Sequence, residues 1–217
     1  MDMKVSGGSS EQGIIYGNTH AKHEDKNLIS RLLVSNFDNS LIKLMKQTKQ
    51  KNIHEIGCGE GLLSLKLSSL GCKIRGSDFS ANVIEIAKEN AASQGVHPDI
   101  FSQKSIYNLD ALTDSADLIL CCEVLEHLED PRAGLTVLEK ITSNYILLSV
   151  PREPLWRALN LLRGSYIKNM GNTPGHLQHW SKHGFVRLIS EYFDVIKTTS
   201  PIPWTMVLAK KIANKNQ

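Results

Sequence analysis

The sequence predicts an α/β fold: a doubly wound, mostly parallel seven-stranded sheet with helices on both faces and an antiparallel C-terminal hairpin strand. Three observations carry this expectation. From residue 52 to residue 150, short apolar runs alternate with stretches of helical spacing. A glycine-rich turn joins the first of these strands to the helix after it. The last two strands are linked only by "SPIP", which is too short for anything but an antiparallel pair.

The chain has 217 residues, 41% of them hydrophobic, enough for one substantial core. A single domain over 14–217 is therefore expected, behind a Gly/Ser-rich tail over 1–13 whose composition marks it as disordered. Between about 24 and 49, Leu28, Leu32, Phe37, Leu41, Leu44 and Met45 recur at helical spacing. They predict one or two covering helices, with a break near Ser35 to Asn39. "NIHEI" (52–56) then reads as a strand, 62–70 as a helix, 72–78 as a strand and 81–93 as a helix. A short strand near 100–104 and the strand "ADLILCC" (116–122) follow. Asp130 before Pro131 fits an N-cap with proline at the first helical position, and "YILLSV" (145–150) is the next strand. A helix over 181–192 precedes the two hairpin strands, 194–199 and 204–210.

The net charge of +3 comes from both signs spread along the chain, which neither requires nor excludes nucleic acid. The start, "MDMKVSGGSSEQG", has no apolar h-region, and no apolar run approaches the roughly 18 residues of a spanning helix. A soluble protein is expected. Cys58, Cys72, Cys121 and Cys122 include a vicinal pair and no CxxC, so reduced thiols in a cytoplasmic protein are the simplest reading.

"HEIGCGEG" (54–61) places Gly57, Gly59 and Gly61 between a strand and a helix, where a ligand can approach bare backbone and the helix N-terminus favours negative charge. The spacing is GxGxG rather than the GxGxxG of nicotinamide enzymes, with the acid Glu55 two positions before the first glycine. Asp78 closes the second strand about 20 residues on, where a carboxylate can accept two hydrogen bonds from a ribose diol. The alternative is a tight turn with a capping Asp before Ser80.

With these residues in view, "HEIGCGEG", "GSDFS" (76–80), "SIYNLD" (105–110) and "LILCCEVLEHLEDP" (118–131) resemble the successive motifs of class I S-adenosylmethionine-dependent methyltransferases, whose sheet is Rossmann-like with an antiparallel seventh strand. The resemblance implies S-adenosylmethionine as cofactor. It would place Gly57, Gly59 and Gly61 against the methionine and ribose portion, with Glu55 also among the cofactor-binding residues. Asp78 would hold the ribose hydroxyls and Phe79 would lie beside the adenine. Ser105 and Ile106 would lie at the adenine edge, where the family often has Asp at the first position. Cys122 and Glu123 would border the methyl-sulfonium end.

Glu123, Glu126 and His127 stand at i, i+3 and i+4, so one helical turn would bring them to one side at the C-terminal edge of the sheet. "GHLQHWSKHGF" (175–185) adds His176, His179 and His183, the last expected to face solvent. Two carboxylates and imidazoles make a site for Mg²⁺, Mn²⁺ or Zn²⁺. The alternative leaves Glu123 bordering the cofactor and the others capping or solvating the next helix. ExxEH followed by HxxxW resembles the quinone-biosynthesis O-methyltransferases and the methyltransferases that modify the 3′-terminal ribose of small RNAs. That resemblance implies Glu123, Glu126, His127 and His176 as ligands of a divalent ion. Such an ion would stabilise the oxyanion that forms on an acceptor held in line with the methyl group. Without it, His127 or His176 would be the general base.

The segment 151–175 is too long for an ordinary loop. Leu155, Leu159, Leu162 and Tyr166 form a stripe at helical spacing beside Trp156, with Arg157 and Arg163 elsewhere around it. It reads as a lid insertion whose apolar face packs on the core, roofs an apolar pocket or touches a membrane surface. The expected function is O-methylation of a small, partly apolar molecule. RNA ribose 2′-O-methylation is the first rival and lacks an evident binding module. A non-catalytic nucleotide-binding or scaffolding domain is the second.

Overall fold

The computed structural model describes residues 3–5, 10–11, 14–15 and 28–213. Most of the tail expected over 1–13, and residues 24–27 of the expected covering helices, lie outside them. Within the described part of that tail, Lys4 N donates to Asn90 Oδ1 at 2.8 Å and Asn90 Nδ2 returns a bond to Lys4 O at 3.0 Å. Ser10–Glu11 pairs antiparallel with Ile14–Ile15.

The first helix, α1 (Leu28–Thr48), is continuous. The break expected near Ser35 does not occur. Asn39 pairs with Ser35 one turn earlier, and Asp38 holds Lys66 of the next helix at 2.6 Å, so the polar residues are satisfied without leaving the helix. There follow β1 (Asn52–Ile56), α2 (Leu62–Ser69), β2 (Lys73–Asp78), α3 (Ala81–Ser93), β3 (Phe101–Gln103), the short α4 (Ala111–Asp114), β4 (Ala116–Cys122), α5 (Pro131–Ile141) and β5 (Thr142–Pro151). The chain ends in α6 (Leu155–Leu162), α7 (Lys182–Ser190), β6 (Phe193–Thr199) and β7 (Trp204–Lys211). Asp130 Oδ1 accepts from both Arg132 N and Ala133 N at 3.0 Å, the cap expected at the start of α5.

The seven strands lie in the order β3-β2-β1-β4-β5-β7-β6, parallel except for β7, which is antiparallel to both neighbours. Side chains alternate across the sheet. Leu118 and Leu120 of β4 pack with Leu41, Leu44 and Met45 of α1, whereas Ile119 and Cys121 face Leu135 and Leu138 of α5 and Phe185 of α7. Strand order reverses between β1 and β4, so the crevice at their C-terminal ends is where an open α/β sheet accepts a ligand. No helix among the described residues is long and apolar enough to cross a membrane.

Candidate active site

Two turns meet at that crevice. The first leaves β1 through Gly57, Gly59 and Gly61, at φ 74°, 53° and 78°. Gly57 N and Cys58 N both donate to Ser77 O, at 2.7 and 3.0 Å, tying the turn to β2. A Cβ on Gly57 would lie 2.2 Å from Val124 Cγ2, and one on Gly61 would lie 2.5 Å from the Phe101 ring. At Gly59 a Cβ would meet no atom within 4 Å. The outer glycines therefore admit the protein's own side chains, while the middle one presents bare backbone to open space.

Asp78 is joined to that middle glycine. Its Oδ2 accepts from Gly59 N at 3.1 Å and its Oδ1 from Ser80 N at 3.0 Å, so each oxygen keeps acceptor capacity for a diol. Asp78 is not the helix cap: Ser80 is the N-cap of α3, its Oγ accepting from Val83 N at 3.4 Å, and Asp78 braces that cap through the Ser80 amide. Burial raises the Asp78 pKa, and the bonds from Ser80 and Gly59 oppose the rise. Glu55 is buried behind the turn, accepts from Ser64 Oγ at 2.5 Å, and is pushed up to about 8 by burial. Phe79 is held through its carbonyl by Gln103 Nε2 at 3.1 Å. Ser105 Oγ accepts from Tyr107 N and caps a short 3₁₀ turn. The Ile106 side chain is core, packed with Leu109 and Leu135, which leaves its backbone as the part that can border an adenine. Burial pushes the thiols of Cys58 and Cys122 well above their ordinary range, which suits packing rather than nucleophilic chemistry. All four cysteines are free.

The second turn leaves β4. Val124, which touches Gly57, joins it directly to the glycine turn. Glu123 has φ 59°, and a 3₁₀ turn, Leu125–His127, follows Val124. Glu126, His127 and His176 offer ligand atoms that all lie within 4.8 Å of one another. Glu126 is 1% exposed and His176 9%. The His176 loop is clasped to this turn, because Leu177 N and Gln178 N both donate to Glu126 O, at 2.8 and 3.0 Å. His127 Nδ1 lies 2.9 Å from Gly175 O, an acceptor, so the proton is assigned to Nδ1, which makes Nε2 the basic nitrogen of the ring. The two imidazoles stand edge to face at 5.0 Å.

Glu123, expected in the same group, is not part of it. The expectation assumed an α-helical turn, whereas a left-handed residue followed by 3₁₀ geometry sends this side chain elsewhere. Its Oε1 accepts from Ser149 Oγ at 2.9 Å and its Oε2 from Trp204 Nε1 at 2.7 Å. His179 is exposed, with Nε2 2.7 Å from Asn172 Oδ1, and His183 is exposed on the first turn of α7 as expected.

From the sequence, Trp156 has only a place beside the lid stripe and Trp204 only the start of the last strand. The Trp156 ring lies 5.9 Å from His176 and 5.8 Å from Trp204, which in turn lies 5.0 Å from Phe37 of α1. Trp156 Nε1 donates to Thr173 Oγ1 at 2.9 Å, fastening α6 to the segment that carries His176. The apolar stripe is shorter than expected. The helix stops at Leu162, Tyr166 takes φ 55°, and Leu162 is 83% exposed.

Residues 54–144 match a family model described as a methyltransferase domain. Over 145 residues the chain is 31% identical to the ubiquinone biosynthesis O-methyltransferase of Erwinia tasmaniensis, covering 60% of this chain and 59% of that protein. It is 29% identical over 159 residues to the Coxiella burnetii protein of the same name, covering 65% of each. The chain thus spans about three fifths of the length of these curated relatives. Among solved structures it resembles the magnesium protoporphyrin IX methyltransferase of Synechocystis PCC 6803 with bound SAH, at 18% identity and TM-score 0.68, covering 88% of this chain and 91% of that one. It also resembles the methyltransferase domain of bacterial CtHen1, at 21% identity and TM-score 0.66, covering 83% and 100%. At these identities the two structures speak to the fold.

Proposed function

The chain belongs to the class I S-adenosylmethionine-dependent methyltransferase family, and from that premise we propose that it methylates an oxygen of a small, partly apolar molecule with the help of a divalent ion. The observation that carries this reading is the convergence of Glu126, His127 and His176 on a turn that packs against the glycine loop through Val124 and Gly57.

The donor set fits a cation. Three ligand atoms converge, two of the residues are buried, and His127 is oriented by the Gly175 carbonyl as metal-bound imidazoles are oriented by a second partner. Two imidazoles with one carboxylate suit Mn²⁺ or Zn²⁺ better than Mg²⁺, which prefers oxygen ligands. When bound, the ion would supply positive charge to an acceptor oxygen as it loses its proton, and S-adenosylmethionine would supply the activated methyl group. The chain's own part is to bind and orient. Gly59 offers backbone, Asp78 offers two acceptor oxygens, and His127 Nε2 or the His176 ring can take the acceptor's proton.

The lid supports an apolar acceptor. Leu161, Leu162, Tyr166, Ile167 and Met170 are exposed at 39 to 83%, and residues 154 to 190 contain no Asp or Glu. An apolar, basic surface of this kind favours weak contact with an anionic bilayer, where lipid-like acceptors reside. The same excess of positive charge is the observation that favours RNA as the alternative acceptor.

Transfer of labelled methyl from S-adenosylmethionine into cell extract, with and without a chelator, tests the proposal. Label in the organic-soluble pool that disappears on chelation is the expected result. Label in RNA replaces the substrate class, and label that chelation leaves untouched removes the ion. Binding of S-adenosylmethionine without transfer to any pool leaves a nucleotide-binding or scaffolding domain.

A further inference from the structure

Glu123 stands where three strands meet. It follows β4, its amide donates to Ser149 O of β5 at 3.0 Å, and its carboxylate joins Ser149 Oγ to the indole of Trp204, the first residue of β7. Trp204 is 7% exposed and packs on Trp156 of the lid helix, and Trp156 packs on His176. A carboxylate thus reaches the reactive imidazole through two indoles rather than through a shared cation. The 2.7 Å bond from an indole N–H to a carboxylate is a charge-assisted bond, of the strong kind that fixes a large ring in one orientation. The left-handed backbone at Glu123 serves the same end, because it turns the side chain toward β5 and β7 and away from Glu126.

We propose that Glu123 is a positioning residue rather than a metal ligand: its carboxylate orients Trp204, and through the Trp204–Trp156 contact it fixes the His176 ring in the site. The assignment rests on reading Glu126, His127 and His176 as the reactive group. It makes the cation site a three-residue centre whose remaining positions are open to acceptor and solvent.

The full chain, labelled with ¹⁵N, is titrated with Mn²⁺ alone as wild type, Glu123→Gln, Glu126→Gln, Trp204→Phe and the Glu123→Gln/Trp204→Phe double variant. Glu126→Gln is expected to weaken Mn²⁺ binding by more than ~10-fold, whereas Glu123→Gln changes it by less than ~3-fold. In the metal-free spectra the Trp204 indole N–H resonance, identified by its loss in Trp204→Phe, is expected to move in Glu123→Gln. The His176 ring resonances should move in both Glu123→Gln and Trp204→Phe, with no additional shift in the double variant. Equal loss of Mn²⁺ affinity in Glu123→Gln and Glu126→Gln, with both folded, would make Glu123 a ligand and overturn the proposal. Unmoved His176 resonances in Glu123→Gln would overturn it as well. If the wild type takes up no Mn²⁺, the cation reading fails on its own, and the resonances decide the positioning role alone.

Discussion

Gly57 and Gly59 share one turn, yet alanine should fail at each for a different reason. At Gly57 the new methyl would overlap Val124 at 2.2 Å on a backbone with φ 74°, so overpacking and left-handed strain add. Gly57→Ala is expected to lose ~2–4 kcal/mol in urea denaturation. Gly59→Ala meets open space and carries only the backbone cost of ~1–2 kcal/mol. Its larger effect should appear in calorimetric titration with S-adenosylmethionine, and normal affinity there would remove the middle glycine from the cofactor contact. Asp78→Ala should weaken the same titration by roughly 10-fold or more, the scale of a lost hydrogen bond to a charged group. These residues were legible in the sequence because a turn and the strand end beside it are local. His176 was legible through the HxxxW motif, but its approach to Glu126 was not, since the clasp that brings it there, from Leu177 N and Gln178 N to Glu126 O, joins residues far apart in the chain. Glu123 was misplaced because nothing in "CCEVLEH" announces a left-handed residue, and a spacing argument presumes the helix it needs.

A single element, β1, carries two neighbouring side chains whose proton affinities move in opposite directions. His54 is 1% exposed, bonded through Nδ1 to Asp114 O at 2.8 Å and through Nε2 to Ser77 Oγ at 3.0 Å. Burial lowers its pKa to about 4, so between about 6.5 and 4 the unfolded chain binds the extra proton and stability falls as pH falls. Glu55, beside it, is raised by burial to about 8, so between about 4.5 and 8 the folded chain binds the extra proton and stability falls as pH rises. The two contributions oppose each other near pH 5 to 6, and above about 6.5 Glu55 acts alone. Glu55→Gln should therefore gain stability relative to wild type as pH is raised from 6.5 to 8.5, read from urea midpoints. A constant difference across that range would mean that Glu55 ionises normally. At this scale the sequence was highly legible. The strand β4 and the helix α3 fall where a continuous apolar run and helical spacing put them, because a strand buried on both faces is apolar almost throughout. The continuity of α1 was not legible, because the partner of Asp38 is Lys66 Nζ, a donor in another element.

At the scale of the whole molecule, the segment read as a lid exposes several apolar side chains close together among the described residues. Trp156 points inward to His176 and Trp204, and Asn160, 1% exposed, is pinned through Nδ2 to Gly171 O at 2.8 Å. The lid helix is thus anchored by its polar and aromatic residues. Leu162 at 83%, Ile167 at 64% and Met170 at 75% exposure take no part in that anchoring. Composition could show that the segment was amphipathic but not which apolar residues the core would claim, because that choice depends on where the helix stops. If the exposed three meet an anionic bilayer, replacing them should leave the fold intact and lower partitioning. Burial of each is worth on the order of 1 kcal/mol at an interface, so Leu162→Asn/Ile167→Asn/Met170→Asn together should cut co-flotation with vesicles of anionic lipid by roughly 100-fold. Arg163 and Lys168 lie exposed in the same stretch, so the wild-type association should also weaken as salt is raised. An unchanged thermal midpoint with lost flotation would assign the contact to the lid. Flotation that survives the triple substitution would place the contact elsewhere and remove these three residues from it.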